Sequence, residues 1–483
     1  MAKERVYTQY RHSNPHVVNE VVEEELCVRC GACEPACPFD IIRFDDNHYP
    51  YITNENECRV NCVRCLKVCP GSELDFNKLD DQMFGQRPHP QSITGIVNGS
   101  YIAHSTNDEV RRKGASGGFV TELLTYMLDH KLIDGALVLG TEVDESGWHQ
   151  KPFIARTVEE LRRAGQSKYM IAPMLKPLGE MEAIEGNYAV VALPCYVHAL
   201  RQYMKVSPKL RKRLKLIIGL YCNVTLEPHL ARDMCTMKGV SPRDLTSLEF
   251  RSGEWPGGVQ VSVSGGKPFK LLKHEEMKDE FNTLKLVYTP PRCDMCIDFS
   301  AEYADLAVGD PWLRGPDGKY LYPDGRTTVL TRTEAGAQVV RDAVAAGYIA
   351  IEDLPLETFM VNFEKSARYK RDLVPQYMEL RRRLGLRSPI YGREVAPGLS
   401  EKPIWKLREG WRAYLLHAIS KYRWLRLGLV RMSQTAPALV YYRWNRKRKA
   451  RKFAAGYASA QAFVQPFGER ASVREVPGSI TKA

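Results

Sequence analysis

Eight of the chain's thirteen cysteines fall in two short runs whose spacing is typical of iron–sulfur ligands. A four-iron cluster needs four thiolates, and a C-x2-C-x2-C loop supplies only three of them, so the fourth comes from another part of the chain. In proteins with two such clusters, the last cysteine of each run crosses to the other cluster. The pattern predicts one 4Fe–4S cluster on Cys27, Cys30, Cys33 and Cys69, and a second on Cys58, Cys62, Cys65 and Cys37.

Structural zinc and disulfide bonds are the alternatives for these cysteines. Zinc sites use paired C-x2-C units and lack the C-x3-C-P ending that both runs show, at Cys37-Pro38 and Cys69-Pro70. Disulfides do not suit a reducing compartment, and thirteen is an odd number. The second run has three residues after Cys58 where two are usual, so we expect a one-residue bulge to deliver that thiolate.

The composition is that of a globular protein with room for two to four domains. The chain has 483 residues, of which 44% are hydrophobic. The first forty residues are polar, and no apolar run reaches the length of about 18 residues that a membrane span requires. We therefore expect no secretory signal and no spanning helix, and a location that is cytoplasmic or peripheral at the membrane.

The net charge of +12 is concentrated in one C-terminal segment. Residues 402–452 contain fifteen Lys and Arg against one acidic residue, Glu409, which gives the segment +14 and leaves −2 for the rest. The nearly neutral body gives no support to nucleic-acid binding. Aromatic residues such as Trp405 and Trp424 are interleaved with the basic ones, which is typical of helices on an anionic membrane surface or on an acidic partner. A solvated helix packed on the body is the third interpretation.

Apolar runs of strand length alternate with helical patterns through the middle of the chain. Strands are predicted at 95–104, 136–140, 188–193, 214–222, 304–308, 327–331 and 348–351, and helices at 119–130 and 334–346. Continuous apolar strands of this kind are typical of a parallel or mixed sheet that is covered on both faces. The predicted fold class is α/β, an α+β body with a mixed sheet, plus a small ferredoxin-like N-terminal domain and a helical basic C-terminal extension.

A glycine-rich turn at residues 113–118 is the first candidate site in this body. It lies between the strand predicted at 95–104 and the helix predicted at 119–130. Glycines let backbone N–H groups approach a phosphate, and a helix N-terminus adds positive potential. The alternative is a helix N-cap by Ser116, which any protein could have.

Four widely spaced cysteines are the second candidate site. Cys195 and Cys222 each follow a predicted strand, and strand ends at one rim of a sheet converge in space. Together with Cys293 and Cys296 they could hold a third cluster or a zinc ion. The alternative for Cys195 and Cys222 is an ordinary buried thiol, which is also how we interpret Cys235 in its helical stretch.

Several ordered segments resemble the coenzyme F420 hydrogenase/dehydrogenase beta-subunit family, over residues 90–390. The matching segments are Ala115-Ser116-Gly117-Gly118, Gly165-Gln166-Ser167-Lys168-Tyr169, Leu193-Pro194-Cys195, Gly219-Leu220-Tyr221-Cys222 and Arg292–Asp310. One departure is Ala192-Leu193, where the family usually has Gly-Thr, and the change removes a hydroxyl and a flexible glycine. A two-cluster ferredoxin domain fused to this body is a common arrangement in the family.

The resemblance implies an iron–sulfur flavoprotein oxidoreductase. FAD would be surrounded by Ser116, Gly117, Gly118, Ser167, Lys168 and Tyr169, with Asp310 closing the pocket and a third 4Fe–4S cluster on Cys195, Cys222, Cys293 and Cys296. Hydride would be exchanged with an organic substrate, above all coenzyme F420, and electrons with a redox partner protein of the hydrogenase, dehydrogenase or ferredoxin type. Lys168 would place positive charge near the reduced flavin; the alternatives are a surface phosphate contact or a simply solvated side chain. No acid–base residue is needed for hydride transfer.

Three other functions stay open on the sequence alone. The chain could be an electron relay without its own substrate, a reductase of another organic substrate in tetrapyrrole or polysaccharide metabolism, or a membrane-surface scaffold with redox-sensing clusters. The predicted domains are a polar lead-in (1–24), a ferredoxin-like domain (25–80), the FAD and iron–sulfur body (90–390), a basic aromatic helical extension (401–453) and a disordered tail (454–483).

Overall fold

The chain is organised around an eight-stranded mixed sheet. The computed structural model describes residues 11–445, except 60, 73, 90–91, 275–276, 314–318 and 396–397, together with 447 and 448. The strands in these residues are β1 (Ile42–Phe44), β2 (Pro50–Ile52), β3 (Gly99–Ser105), β4 (Gly135–Asp144), β5 (Gly147–Ala155), β6 (Tyr188–Ala192), β7 (Leu214–Leu220), β8 (Leu245–Ser252), β9 (Gly258–Val263), β10 (Phe269–Lys270), β11 (Leu306–Gly309), β12 (Thr327–Thr331) and β13 (Ile349–Asp353).

The helices cover both faces of this sheet and continue beyond it. They are α1 (Cys33–Ala36), α2 (Arg64–Lys67), α3 (Phe76–Phe84), α4 (Asp108–Lys113), α5 (Phe119–Asp129), α6 (Val158–Arg163), α7 (Leu178–Ala183), α8 (Pro194–Val206), α9 (Pro208–Arg213), α10 (Leu230–Lys238), α11 (Met277–Tyr288), α12 (Glu334–Ala345), α13 (Leu356–Arg368), α14 (Val374–Arg383), α15 (Arg408–Ser420) and α16 (Arg423–Ser433). A further helical segment at 436–445 is called the terminal helix below.

Strand direction brings three predicted site segments to one edge of the sheet. The order is β13-β3-β12-β11-β7-β6-β4-β5, and β11, β7, β6 and β4 are mutually parallel. The carboxyl ends of parallel strands meet at the same edge, where ligands of open α/β sheets usually bind. Cys195 follows β6, Cys222 follows β7 and Asp310 follows β11, so all three lie at that edge.

Alternate residues of the central strands pack against different helices. Leu137, Val190 and Ile217 are buried with residues of α8, whereas their neighbours in sequence are buried with residues of α5 and α12 on the opposite face. Both faces of the sheet are therefore covered by helices and shielded from solvent, which accounts for the continuous apolar runs in the sequence. Within the described residues no helix is long and apolar enough to cross a membrane.

The sequence predicted the central strands well and missed two features. Each of the seven predicted strands is present, with ends shifted by a few residues, and 327–331 agrees residue for residue. Strand β5, which pairs antiparallel with β4, was not predicted. Nor was the separate three-stranded sheet of β8, β9 and β10. These strands are polar on one side, so they lack the apolar runs that marked the others.

The N-terminal domain packs directly on the body. Strands β1 and β2 form its hairpin. A π-helical turn at Val18–Val22 lies within the expected polar lead-in, and Val17 and Val21 are buried beside the cysteines. Helix α3 also runs past the predicted boundary at residue 80. The buried Arg29 side chain donates to both carboxylate oxygens of Glu227, at 2.7 and 2.9 Å, and so joins the domain to the body.

The basic extension is also held by buried charge pairs. Asp233 on α10 is almost fully buried and accepts from Arg423 at 2.8 Å, from Arg426 at 3.0 and 3.2 Å, and from the Tyr288 hydroxyl at 3.1 Å. His417 on α15 lies 2.9 Å from a carboxylate oxygen of Asp294. Two of the basic residues counted in the sequence are thus used for packing. The predicted tail at 454–483 lies outside the described residues.

Replacement of Asp233 by Ala should loosen the extension. It leaves the buried guanidinium of Arg426 without its carboxylate, and the loss of one partner of a buried pair costs about 3–5 kcal/mol. We expect faster cleavage by trypsin within residues 408–445 and a lower thermal midpoint. Asp81→Ala is the control, because its ion pair with Arg87 is exposed. Equal cleavage rates in both variants would contradict this role for Asp233.

Candidate functional site

A cavity of about 800 Å³ opens at the carboxyl edge of the parallel strands. This volume lies within the usual range for small-molecule and cofactor sites. Six of the seven residues predicted around FAD line this cavity, namely Ser116, Gly118, Ser167, Lys168, Tyr169 and Asp310, while Gly117 does not. Ala192 and Leu193, the pair at which the sequence departs from the family pattern, line the cavity as well.

The glycine-rich turn has a backbone that only glycine adopts without strain. The short helix α4 separates it from β3, so the turn joins two helices rather than a strand and a helix. Gly117 and Gly118 have φ of +80° and +71°, and a Cβ on Gly118 would lie 2.6 Å from the Val110 carbonyl oxygen. Gly118, not Ser116, is the N-cap of α5. The N-cap interpretation of Ser116 is therefore wrong; its hydroxyl lies 3.3 Å from that of Thr327.

Arg251 is the residue that fixes this end of the cavity, and no pattern in the sequence pointed to it. It is buried and donates to the two carboxylate oxygens of Asp310, both at 2.9 Å. It also donates to the Tyr169 hydroxyl at 3.1 Å and to the Ala115 carbonyl at 2.7 Å. Bidentate pairs of this kind are strong and geometrically specific. Three segments that are far apart in sequence are thus held around one guanidinium.

Lys168 lines the cavity as a partly buried amine. Its Nζ donates to the carbonyl oxygens of Ala164 and Gly165, both at 2.5 Å, and of Gln166 at 3.3 Å. These carbonyls follow the last turn of α6, where a helix favours positive charge. Burial lowers the pKa of Lys168 from its usual 10.5 to about 7. The side chain thus titrates near neutral pH, which composition and spacing did not indicate.

Electrostatic interactions link the N-terminal cysteines across the two runs, and the crossover assignment of each cysteine to a cluster stays a prediction. Cys27, Cys30 and Cys33 each interact electrostatically with Cys69, and Cys58 interacts with Cys37 and Cys62. Burial, and then the Cys69 sulfur, raises the pKa of Cys27 to about 12. Cys65 interacts with Cys58 and Cys62 and also with Cys69, so the two groups lie side by side.

The four spaced cysteines of the body also come together. Cys195 interacts electrostatically with Cys296, Cys222 and Cys293, and burial raises its pKa well above the ordinary value. Cys222 in addition lines the cavity. Lys370, in the π-helical turn that joins α13 to α14, is buried and interacts with three of the four sulfurs. Cys235 lies apart from them on α10, buried among apolar residues.

Two buried side chains lie between the body cysteines and the first N-terminal group. The Arg292 guanidinium interacts with Cys27 and Cys69 on one side and with Cys195 and Cys296 on the other. It also donates to the Leu26 carbonyl at 3.0 Å. The phenol ring of Tyr196 likewise interacts with both Cys195 and Cys30. The three groups of sulfurs therefore form a series that begins at the cavity wall.

The cysteine groups remain predicted ligands. Within the described residues, no set of three or more His, Cys, Asp or Glu side chains is placed to hold a single metal ion. The prediction of clusters is therefore carried by the cysteine spacing, by the mutual electrostatic interactions of the sulfurs and by the similarities described next.

Comparison with protein families covers most of the body and part of the N-terminal domain. Residues 100–179 match the family described as "Coenzyme F420 hydrogenase/dehydrogenase, beta subunit N-term", and residues 185–357 match the family that describes the C terminus of the same beta subunit. Residues 20–43 match a "4Fe-4S binding domain". The chain therefore belongs to the coenzyme F420 hydrogenase/dehydrogenase beta-subunit family and carries an N-terminal 4Fe–4S binding domain, as the sequence predicted.

Named relatives share about a quarter of their residues with this chain. The coenzyme F420 hydrogenase subunit beta of Methanothermobacter thermautotrophicus is 28% identical over 311 residues, which are 62% of this chain and 99% of that protein. The coenzyme F420-dependent sulfite reductase of Methanocaldococcus jannaschii is 28% identical over 67% of this chain and 46% of its own length. A solved chain of the F420-reducing NiFe hydrogenase complex from Methanosarcina barkeri has a TM-score of 0.46 and 23% identity, covering 62% of this chain and 98% of that one.

The depressed pKa of Lys168 predicts a pH-dependent stability. The folded protein binds fewer protons than the unfolded chain between pH 7 and 10.5, so this group makes the free energy of unfolding rise with pH in that window. The substitution Lys168→Met removes the group that titrates, so the free energy of unfolding of the variant lacks this contribution. The thermal midpoint of the wild type relative to the variant should therefore increase between pH 7 and pH 9, measured without added flavin.

Lys215→Met is the matched control for this measurement. Lys215 also donates to a carbonyl near a helix end, that of Lys212 at 3.0 Å, but it is exposed. We expect no pH trend for this variant. If the difference in thermal midpoint between the wild type and Lys168→Met does not change with pH, the three carbonyl acceptors keep the Lys168 ammonium protonated in spite of burial.

Proposed function

We propose that the chain is an FAD- and iron–sulfur-dependent oxidoreductase that exchanges hydride with coenzyme F420 and single electrons with a partner protein. The observation that carries the proposal is that Cys222 belongs both to the cavity wall and to the body group of cysteines. A two-electron site in the cavity and a one-electron chain on the cysteines would therefore share a boundary. The names of the relatives, which include hydrogenase and formate dehydrogenase subunits linked to F420, support the same reaction class.

The residues of the cavity fit a flavin dinucleotide. Helix α5 begins directly after the glycine turn, and its N-terminus offers N–H groups and positive potential to a phosphate. Apolar strand ends and the rings of Tyr169 and Phe281, 4.9 Å apart, provide a wall for an aromatic system. When bound, FAD would supply the conversion between hydride chemistry and single-electron chemistry.

The charged residues of the cavity have distinct tasks in this proposal. The guanidinium of Arg251 neutralises Asp310, so this carboxylate shapes the pocket without repelling a phosphate. Lys168 can hold or release a proton near neutral pH, because its pKa is about 7. As an ammonium it would favour negative charge on a reduced ring system, and as an amine it would not. Hydride transfer itself requires no acid–base residue, and we assign none.

Three 4Fe–4S clusters would carry electrons away from or towards the cavity. One would be held by Cys195, Cys222, Cys293 and Cys296, a second by Cys27, Cys30, Cys33 and Cys69, and a third by Cys37, Cys58, Cys62 and Cys65. Positive charge beside a cluster stabilises its reduced, more negative form, so Arg292 and Lys370 should raise the reduction potential of the body cluster. The outermost group, which includes the partly exposed Cys37, Cys58 and Cys62, would face the redox partner.

An anaerobic assay with reduced F420 tests the function. We expect oxidation of reduced F420 with a viologen dye as acceptor, no turnover with NADH or NADPH, and about twelve iron atoms per chain, four for each cluster. Cys222→Ala should hold about eight iron atoms and fail to reduce its N-terminal clusters when reduced F420 is added, as followed by electron paramagnetic resonance. Cys235→Ala is the control and should behave as the wild type.

A relay subunit without its own substrate is the second candidate. It is favoured if the protein holds full iron and FAD but turns over no donor until its partner is present. If a different organic substrate reduces the flavin and reduced F420 does not, the proposed substrate is wrong, but the proposed type of reaction stands.

We also propose that the extension rests on an anionic membrane surface. Its outer side carries exposed aromatic rings, with Trp405, Trp424 and Trp444 exposed to 68%, 71% and 54%. Trp424 and Met432 lie on the same exposed side of α16, and Lys447 and Arg448 follow the terminal helix. Aromatic rings among basic residues suit the headgroup region of a bilayer. The enzyme would then work at the membrane surface.

Vesicle sedimentation tests the membrane proposal. We expect binding to vesicles that contain anionic phospholipid, none to neutral vesicles, and release by high salt, since each basic residue near such a surface contributes about 1 kcal/mol. Trp424→Ser combined with Trp444→Ser should weaken binding, whereas Tyr51→Ser, at an exposed ring of the N-terminal domain, should not. Equal binding of both variants would contradict the proposal.

A further inference from the structure

The cavity wall contains residues from outside the family body. Tyr442 and Asn445 belong to the terminal helix and line the cavity, although the family match ends at residue 357. Both residues are partly exposed, and their neighbours in the wall on α11, Asn282 and Lys285, are exposed. These four residues therefore mark the rim, where the cavity meets solvent, whereas the glycine turn and the strand ends form its deep end.

The terminal helix is fixed at this rim by specific contacts. The Tyr442 hydroxyl accepts from Thr283 on α11 at 3.3 Å, and its ring meets that of His274 edge-on at 4.7 Å. Gln434, just before the terminal helix, accepts from the backbone N–H of Lys273 at 2.6 Å and lies 3.1 Å from the His274 ring. With the buried pairs of Asp233, these contacts hold the extension against the body on both sides of α11.

The charge of the cavity wall indicates what the rim can receive. The charged lining residues are Lys168, Lys278, Lys285 and Lys365 against Asp279 and Asp310. Asp310 is already neutralised by Arg251, so the wall is cationic on balance. Trp312 and Phe281 add aromatic surface near the lysines of α11, with the Lys278 ammonium 4.0 Å from the Trp312 ring centre. An aromatic ligand that carries negative charge matches this wall.

We propose that the terminal helix forms part of the substrate-binding site, with Tyr442 and Asn445 holding an anionic, aromatic two-electron donor against α11 at the rim of the cavity. The inference rests on the proposed function, because it assigns the rim to the donor and the deep end to the flavin. It makes the extension a determinant of substrate affinity as well as a docking surface. Tyr442 and Asn445 are binding residues in this proposal and take no part in electron transfer.

Charge variants at Asn445 test this assignment by direct binding. The probe is oxidised coenzyme F420, titrated optically into the full-length protein with its iron and flavin in place. Asn445→Asp should raise the dissociation constant and Asn445→Lys should lower it, each by roughly two- to fivefold, the range for a partly exposed charge pair. Tyr442→Ala should weaken binding as well. Tyr441→Ala is the matched control, because its side chain is 57% exposed and does not line the cavity.

Three further readouts separate a binding role from a folding defect. Flavin content, iron content and the thermal midpoint should be the same in the wild type and both Asn445 variants. If both charge variants bind F420 with the dissociation constant of the wild type, the role of the terminal helix in binding is overturned. The proposed substrate would stand, because the wild type would still bind F420. Absence of F420 binding by the wild type would overturn the proposed substrate and this inference with it.

Discussion

The buried guanidinium of Arg292 lies at the boundary between the N-terminal domain and the body, which the proposed electron path must cross. It hydrogen-bonds to the backbone of the N-terminal domain at Leu26 and to the body at Met295 and Tyr391, so it fastens the two parts together. A buried cation is costly unless anionic partners surround it. Sulfurs of two cysteine groups lie near it here, and as thiolates, the form that cluster ligation requires, they would supply that environment. Ligation of the proposed clusters and docking of the domain would then support each other.

The burial of the cysteines adds a second constraint. Burial raises the pKa of Cys27, Cys33 and Cys195, which favours the neutral thiol in the absence of metal. Ligation requires the thiolate, so cluster assembly must release these protons. Arg292 and Lys370 reduce the cost by placing positive charge beside the sulfurs. In the proposed function, the same two side chains would also affect the reduction potential of the body cluster.

Local patterns in the sequence were sufficient for the elements and for much of the site. The apolar runs located β6, β7, β11 and β12, because buried strands require continuous apolar residues. The cysteine spacings led to the groups that the structure brings together. Arg251 was not predictable, because its role depends on the docking of the second sheet against the body, a contact between residues far apart in sequence. The capping role given to Ser116 was wrong because the positive φ of Gly118 moves the helix start.

The contact between the basic extension and the cavity was also not predictable from local patterns. Its basic and aromatic composition indicated a surface, but only the packing of Tyr442 beside Thr283 shows that it also reaches the cavity. In the proposed assignment, the body that would bind the cofactors and the segment at the rim are separate stretches of chain. Mutations at the rim could then accumulate without disturbing the sulfur series, and substrate selectivity could change separately from electron transport. An appended helix of this kind would be one way for a redox scaffold to acquire new substrates.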